Sequence, residues 1–227
     1  MWLQLEKMDL HVHSHYSDGA MSVKEAIQIA QTKGLSCLAI SDHFTTSWKE
    51  ALINTLKPGN FKYYCDEIRR ERAQANFRCL IGLEIDVGSN WDDVLRVPFE
   101  WFEIIDFEYV DSMILLQKIA SLIQNLKKRP IFTLAHNSYF NIANLEKFSE
   151  ILLDNNIYFE LNARYLAQLD ENSIQRLRFL RDKGIQFTIG SDAHEPGQIG
   201  NTKEVISILR KIEGFQNLID LRNFTID

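Results

Sequence analysis

Short runs of apolar residues alternate along this chain with longer amphipathic stretches. The first run ends at Lys7-Met8-Asp9-Leu10-His11-Val12-His13 and is closed by the turn signal Ser17-Asp18-Gly19. Ser22 then offers an N-cap for a helix reaching Lys33, with Val23, Ala26, Ile27 and Ala30 on one face and Gly34 as its stop. The same alternation continues with strand 36–41, which runs into Asp42-His43, and then helix 61–75 and strand 78–86. Strand 104–110, helix 112–128, strand 130–135 and helix 144–153 follow. The last elements are strand 157–161, helix 170–183, strand 185–189 and helix 202–212. Residues 44–61 carry weak periodicity and the breaker Lys57-Pro58-Gly59-Asn60, and read as a long loop or lid with a short helix. The 87–103 stretch, with its aromatic and acidic residues in no clean period, gives no assignment.

Seven strands, nearly all followed by a helix, imply parallel pairing through right-handed crossovers. Periodicity alone leaves an open doubly wound sheet and a closed barrel both standing. The polar residues favour the barrel. His11, His13, His43, Glu84, His136, Asp192 and His194 come from five different strands, each at the C-terminal end of its run. Only a closed barrel brings such ends to one mouth, where barrel active sites are built.

Alternation on a strand sets His11 and His13 on one side and Val12 on the other. Two imidazoles so placed can share one metal ion, and Asp18 can swing back to add an oxygen. The pairs Glu84/Asp86, Glu160/Asn162 and Asp192/His194 repeat the i, i+2 spacing. Five of the six histidines fall at strand ends, which points to a multinuclear metal site; His15 falls in a loop, with a solvent or supporting role.

The 227-residue chain is long enough for one domain, taken as 1–227, with a sizeable core. Its formal charge of −6 gives no general attraction for nucleic acid, although a local basic groove stays compatible with it. Cys37, Cys65 and Cys79 are scattered with no Cys-x-x-Cys pair, which fits core packing in a reducing, cytoplasmic setting. No apolar run nears the roughly 20 residues of a membrane span, and residues 1–6 lack the pattern of a signal peptide. No sequence feature sets an oligomeric state.

The motifs together resemble the PHP family, the polymerase and histidinol phosphatase group of metal-dependent phosphoesterases. The resemblance rests on Asp9-Leu10-His11-Val12-His13-Ser14 through Ser17-Asp18-Gly19, then Ser41-Asp42-His43 and Gly82-Leu83-Glu84. It continues with Ala135-His136-Asn137 and Gly190-Ser191-Asp192-Ala193-His194. It implies a distorted seven-stranded (β/α) barrel with up to three clustered divalent metals, of Zn, Mn or Fe type given the mixed His/carboxylate set. Carried over, it implies one metal on His11, His13, Glu84 and Asp192, a second between Glu84 and His136, and a third on Asp18, His43 and His194. Many family members have a further histidine near the end of the fourth strand. Here that stretch reads Phe107-Glu108-Tyr109-Val110-Asp111, so Glu108, Asp111 or Asp86 must substitute or the second position stays weak. Two firmly bound metals are the expectation.

The implied reaction is hydrolysis of a phosphate ester on a small phosphorylated metabolite or nucleotide, with Asp192, His194 and Glu84 as catalytic residues. Arg164 and Asn162 are expected at the substrate, Arg164 as a bidentate phosphate donor. Asp42, beside a ligand but facing the other way, is read as support for an imidazole. Two alternatives are a barrel subunit with a weakened metal site serving interaction or RNA processing, and an amidohydrolase-type hydrolase.

Overall fold

The computed structural model describes residues 7–136, 144–166 and 169–221. Asn137 of the Ala135-His136-Asn137 motif and the 1–6 stretch lie outside them. Seven strands pair in sequence order, each parallel to the next: β1 (Met8–Val12), β2 (Cys37–Phe44), β3 (Cys79–Asp86), β4 (Ile104–Glu108), β5 (Ile131–Ala135), β6 (Ile157–Asn162) and β7 (Phe187–Gly190). Every residue of every strand is buried. That is why the runs read as nearly continuous apolar blocks: parallel strands are covered on both faces.

The ring is nearly closed between β7 and β1. Val12 bridges Ala193 in parallel, the Asp192 N–H donates to the His11 carbonyl (3.0 Å), and the His13 N–H donates to the Ala193 carbonyl (2.9 Å). Asp9 reinforces the seam. Its carboxylate accepts from the Ser191 N–H (2.9 Å), the Ser191 hydroxyl (2.6 Å) and the Gly200 N–H (2.7 Å), fixing the segment that carries Asp192 and His194.

The helices are α1 (Val23–Thr32), α2 (Phe61–Ala75), α3 (Trp91–Val94), α4 (Met113–Gln124), α5 (Leu145–Asn155), α6 (Ala163–Leu166), α7 (Glu171–Asp182) and α8 (Lys203–Lys211). The Ser22 cap of α1 is a capping box: Glu25 N–H donates to the Ser22 hydroxyl, and Ser22 N–H to the Glu25 carboxylate. The unassigned 87–103 stretch holds α3 and a 3-10 turn at Phe99–Trp101, each too short to print a period on the sequence. The 44–61 stretch holds a 3-10 turn at Trp48–Ala51. β4 stops at Glu108, two residues before its expected end, because Tyr109 turns left-handed (φ +50°) and leaves the ladder. None of the described helices is long and apolar enough to cross a membrane.

Candidate metal centre at the barrel mouth

His11 and His13 leave β1 together, and their Nε2 atoms lie 3.1 Å apart. Glu84 stands at the centre of the group. Its carboxylate lies 3.3 Å from His11 Nε2, 3.6 Å from His13 Nε2, 2.9 Å from His43 Nδ1 and 3.2 Å from His136 Nε2. His43 and Glu84 are direct partners in the β2–β3 register, which is why these two approach so closely. Asp192 adds a second carboxylate, 3.2 Å from His13 Nε2, 3.5 Å from His136 Nε2 and 3.6 Å from His194 Nδ1. Asp18 returns over the mouth to 3.6 Å from both His13 and His43, and 3.3 Å from His194 Nε2.

Among the described residues, four sets of donors are each compact enough to hold an ion: His13/Asp18/His43/His194, His11/His13/Asp192, His11/Glu84/His136 and His43/Glu84/Glu108. Two ligands on one ion at ~2.0–2.2 Å stand roughly 3–3.5 Å apart, the range most of these pairs occupy. Hydrogen bonding gives an independent check. Both oxygens of Glu84, Asp192 Oδ1, His43 Nδ1 and both ring nitrogens of His136 are buried with no hydrogen-bond partner among the described residues. Buried polar atoms rarely go unpaired, so this set fits divalent cations.

The charges agree. Burial opposes ionisation of Glu84, but His11, His43 and His136 outweigh it and hold its carboxyl well below the usual range. Burial is likewise overcome at Asp192, by the adjacent His13 imidazole and the charges of His11 and His136, and at Asp18, by the neighbouring His194 and His43 imidazoles. Burial, joined by the charges of His43 and His11, depresses His13, whereas at His11 and His43 the surrounding carboxylates overcome burial and raise the imidazole. The carboxylates draw positive charge inward, as protons or as metal ions.

Backbone geometry aims the ligands. His136 and Asp192, each just past a strand end, have φ of +59° and +55°. A left-handed residue bearing a Cβ costs on the order of 1–2 kcal/mol, a strain tolerated where it places a side chain. Gly190 is required for a different reason: a Cβ there would lie 2.2 Å from Glu160 Oε1 and 2.5 Å from the His11 Cβ.

Glu160 is the support that the sequence left undecided. One oxygen lies 2.8 Å from His11 Nδ1, and the other accepts from the His136 N–H (3.0 Å) and the Asn162 amide (3.1 Å). With Nδ1 of His11 engaged as the donor, its Nε2 lone pair faces the cluster. His194 is fixed in the same sense, with Nδ1 at 2.9 Å from the Asp192 carbonyl. Asp42 differs from its expected role. It accepts from the N–H and hydroxyl groups of Ser14 and Ser17, shaping the loop that delivers Asp18 rather than holding an imidazole directly. Asn162, expected at the substrate, is fully buried, and its side chain is taken up by Glu160 and the Arg164 N–H (3.0 Å).

Arg164 reaches the mouth with its side chain 56% exposed and Nη1 3.4 Å from Asp192 Oδ2. Beside it lies a cavity of about 260 Å³ lined by Arg164, Ser191, Asp192, Gln198, Asn201 and Glu204. His15 is exposed and belongs to none of the four donor sets. Of the three acids weighed for the β4 gap, Asp111 is exposed and Asp86 is held by Thr45, Ser47 and the Gly88 N–H, whereas Glu108 joins a donor set.

Known proteins resemble this chain in sequence and in fold. The family profile described as PHP domain matches residues 9–225. The DNA polymerase/3'-5' exonuclease PolX of Bacillus subtilis (strain 168) is 27% identical over 219 residues, covering 90% of this chain and 37% of that protein. The chain therefore spans well under half the length of that curated relative. Among solved structures, the histidinol phosphate phosphatase HISK from Lactococcus lactis, complexed with Zn, L-histidinol and phosphate, aligns with a TM-score of 0.63. The identity is 16%, and 91% of this chain and 94% of that one are covered. A chain in the cryo-EM structure of archaeal ribonuclease P with mature tRNA aligns with a TM-score of 0.53 at 13% identity, covering 97% of this chain and 96% of that one. At these identities the structures share the fold. With nearly its whole length matched, the chain belongs to the PHP domain family.

Proposed function

We propose that the chain acts as one PHP barrel that hydrolyses a phosphate ester of a small metabolite or nucleotide at a cluster of divalent ions held by His11, His13, Asp18, His43, Glu84, His136, Asp192 and His194. The observation that carries the reading is the convergence of these donors with buried, hydrogen-bond-free atoms on Glu84, Asp192, His43 and His136. The neighbour that holds Zn, L-histidinol and phosphate on the same fold supports it.

When bound, the ions supply positive charge for the phosphoryl oxygens and acidify a water to a nucleophile at neutral pH. The chain's own groups do the rest. Glu84 and Asp192, kept ionised, set the charge at the centre of the cluster. Glu160 keeps the His11 lone pair turned inward, and the Asp192 carbonyl does the same for His194. That bond suits His194 to ligation, so its catalytic part is to hold the centre together. Arg164, half outside the mouth, is placed to grip a phosphate oxygen, and the cavity beside it takes the leaving group. In the net reaction the water oxygen bonds to phosphorus and the ester P–O bond breaks. The water's proton ends on the departing alcohol oxygen, giving alcohol and inorganic phosphate.

Chelator-stripped protein reloaded with Zn²⁺, Mn²⁺ or Fe²⁺ tests this against phosphomonoesters, phosphodiesters including single-stranded DNA, and amides. Metal-dependent release of phosphate from monoesters is expected. Turnover confined to amides, or none with any metal bound, would sink the reading.

A further inference from the structure

Lys49 lies on the 3-10 turn Trp48–Ala51, in the stretch between β2 and α2. The turn is pinned from several sides. The Thr45 and Ser47 hydroxyls donate to Asp86 Oδ2 (3.0 and 2.7 Å), the Ser47 hydroxyl accepts from the Lys49 N–H (3.3 Å), and the Thr46 N–H donates to the Ser89 hydroxyl (2.9 Å). From this anchored base the Lys49 ammonium pairs closely with Glu108, lies 3.5 Å from Asp86, and sits 5.4 Å from the centre of the Tyr109 ring.

Those contacts lie at the ends of β3 and β4, where Asp86, Glu108 and Tyr109 leave a gap in the ring of imidazoles. Around the same gap stand Glu84, with neither oxygen hydrogen-bonded, and His136, with neither ring nitrogen hydrogen-bonded among the described residues. Glu108 Oε2 is 3.9 Å from His136 Nδ1, and Glu108, Glu84 and His43 form one of the compact donor sets. Glu108, Glu84 and His136 are all more than nine-tenths buried. Two buried carboxylates side by side are stabilised by a proton on one of them or by a cation between or beside them. A divalent ion and a lysine ammonium compete for the same oxygens, and here the ammonium is tethered to the chain.

We propose that Lys49 is a built-in cation at the β3–β4 edge, engaging Glu108 so that this edge of the cluster does not take up a metal ion of its own. The inference rests on the metal-cluster reading above. It accounts for a carboxylate buried beside Glu84 at this edge: Glu108 arrives with its own positive partner. It also makes the 44–61 stretch part of the metal centre rather than only a cover over it.

Metal per chain, measured by plasma mass spectrometry on the full chain after stripping and dialysis against Mn²⁺ or Zn²⁺, tests it directly. About two ions are expected in the unaltered protein, about three in Lys49→Met, where Glu108 is released, and about two again in Lys49→Met/Glu108→Gln. Lys49→Gln, which keeps a polar stem without the charge, gives the same reading should the methionine variant fail to fold. Glu108→Gln alone should leave the count unchanged. A count that stays at the unaltered value in both lysine variants, or that falls in Glu108→Gln alone, overturns the proposal. Unaltered protein that binds no metal at all would instead overturn the cluster reading on which it rests.

Discussion

The two sides of the barrel mouth are built on different plans. On the side of β1, β2 and β7, His11, His13, Asp18, His43, Asp192 and His194 interlock. The His13 ring centroid lies 5.0 Å from His11, 4.6 Å from His43 and 4.3 Å from His194. On the side of β4 and β5 there is one imidazole, His136, flanked by Tyr109 and Tyr165 at 4.9 and 5.1 Å, with Glu108 and Lys49 paired behind it. The two tyrosine hydroxyls are 2.8 Å apart, closing an aromatic wall where the other side has ligands. The first side is rich in donors with free lone pairs. The second balances its charge within the protein, so bound metal should concentrate on the first.

That contrast gives the largest expected effect. Asp192 touches His13, His136, His194 and Arg164, so Asp192→Ala removes a carboxylate from the ligand-rich side. Such a ligand accounts for several kcal/mol of charge stabilisation in the transition state, and kcat/KM should fall roughly a thousandfold with at least one ion lost. His136→Ala, on the poorer side, should keep most of the bound metal. Equal metal loss in the two variants, read from metal per chain, would erase the distinction between the sides.

Glu160 joins the two sides, holding His11 on one and the His136 backbone on the other. Glu160→Gln keeps the shape but loses the charge that orients His11. Metal affinity should weaken by about 10–100-fold, the usual cost of losing a ligand's hydrogen-bonded partner. Competition with a chromogenic chelator measures it. Unchanged affinity would mean that packing alone holds His11 in place.

Arg164 tests whether the substrate enters on the ligand-rich side. Its side chain is mostly exposed and its pairing with Asp192 is long, so its removal should spare the metal. A charged hydrogen bond to phosphate is worth ~1.5–3 kcal/mol, and Arg164→Ala should raise KM about tenfold or more with metal content unchanged. A change in metal content with KM unaltered would make it a support for Asp192 instead.

The alternation of buried runs made the barrel legible, because strands covered on both faces must be apolar along their length and the exceptions then stand out at their ends. His11, His43, Glu84, His136, Asp192 and His194 were visible for that reason. Lys49 was not, since a lysine in a loop of weak period looks like any solvated cation until the fold sets it against Glu108. Nor was the seam formed by Asp9 with Ser191 and Gly200, which joins residues at opposite ends of the chain. Glu160 and Asn162 carried the right spacing for the mouth, but spacing shows only a shared side of the strand. Whether such a pair faces substrate or braces an imidazole depends on what the next strand brings: here Gly190 leaves room for Glu160 to reach His11.

The smallest expected effect belongs to the sixth histidine. His15 lies two residues beyond His13, close enough in sequence to be mistaken for a third member of the same ligand row. The loop turns it away: its N–H donates to the Met21 carbonyl (2.8 Å), and its exposed ring lies 4.7 Å from that of Tyr16, outside every donor set. Tyr16 is in turn fixed by its hydroxyl bond to Glu67 (2.7 Å), so the ring contact is not needed to hold the loop. Removing an exposed side chain of this kind changes stability by no more than ~0.5 kcal/mol. His15→Ala should therefore keep kcat/KM within about twofold, with metal per chain and melting temperature unchanged within error. A drop in bound metal would show that the β1–α1 loop can bring His15 over the mouth, and would add a donor to the side already richest in them.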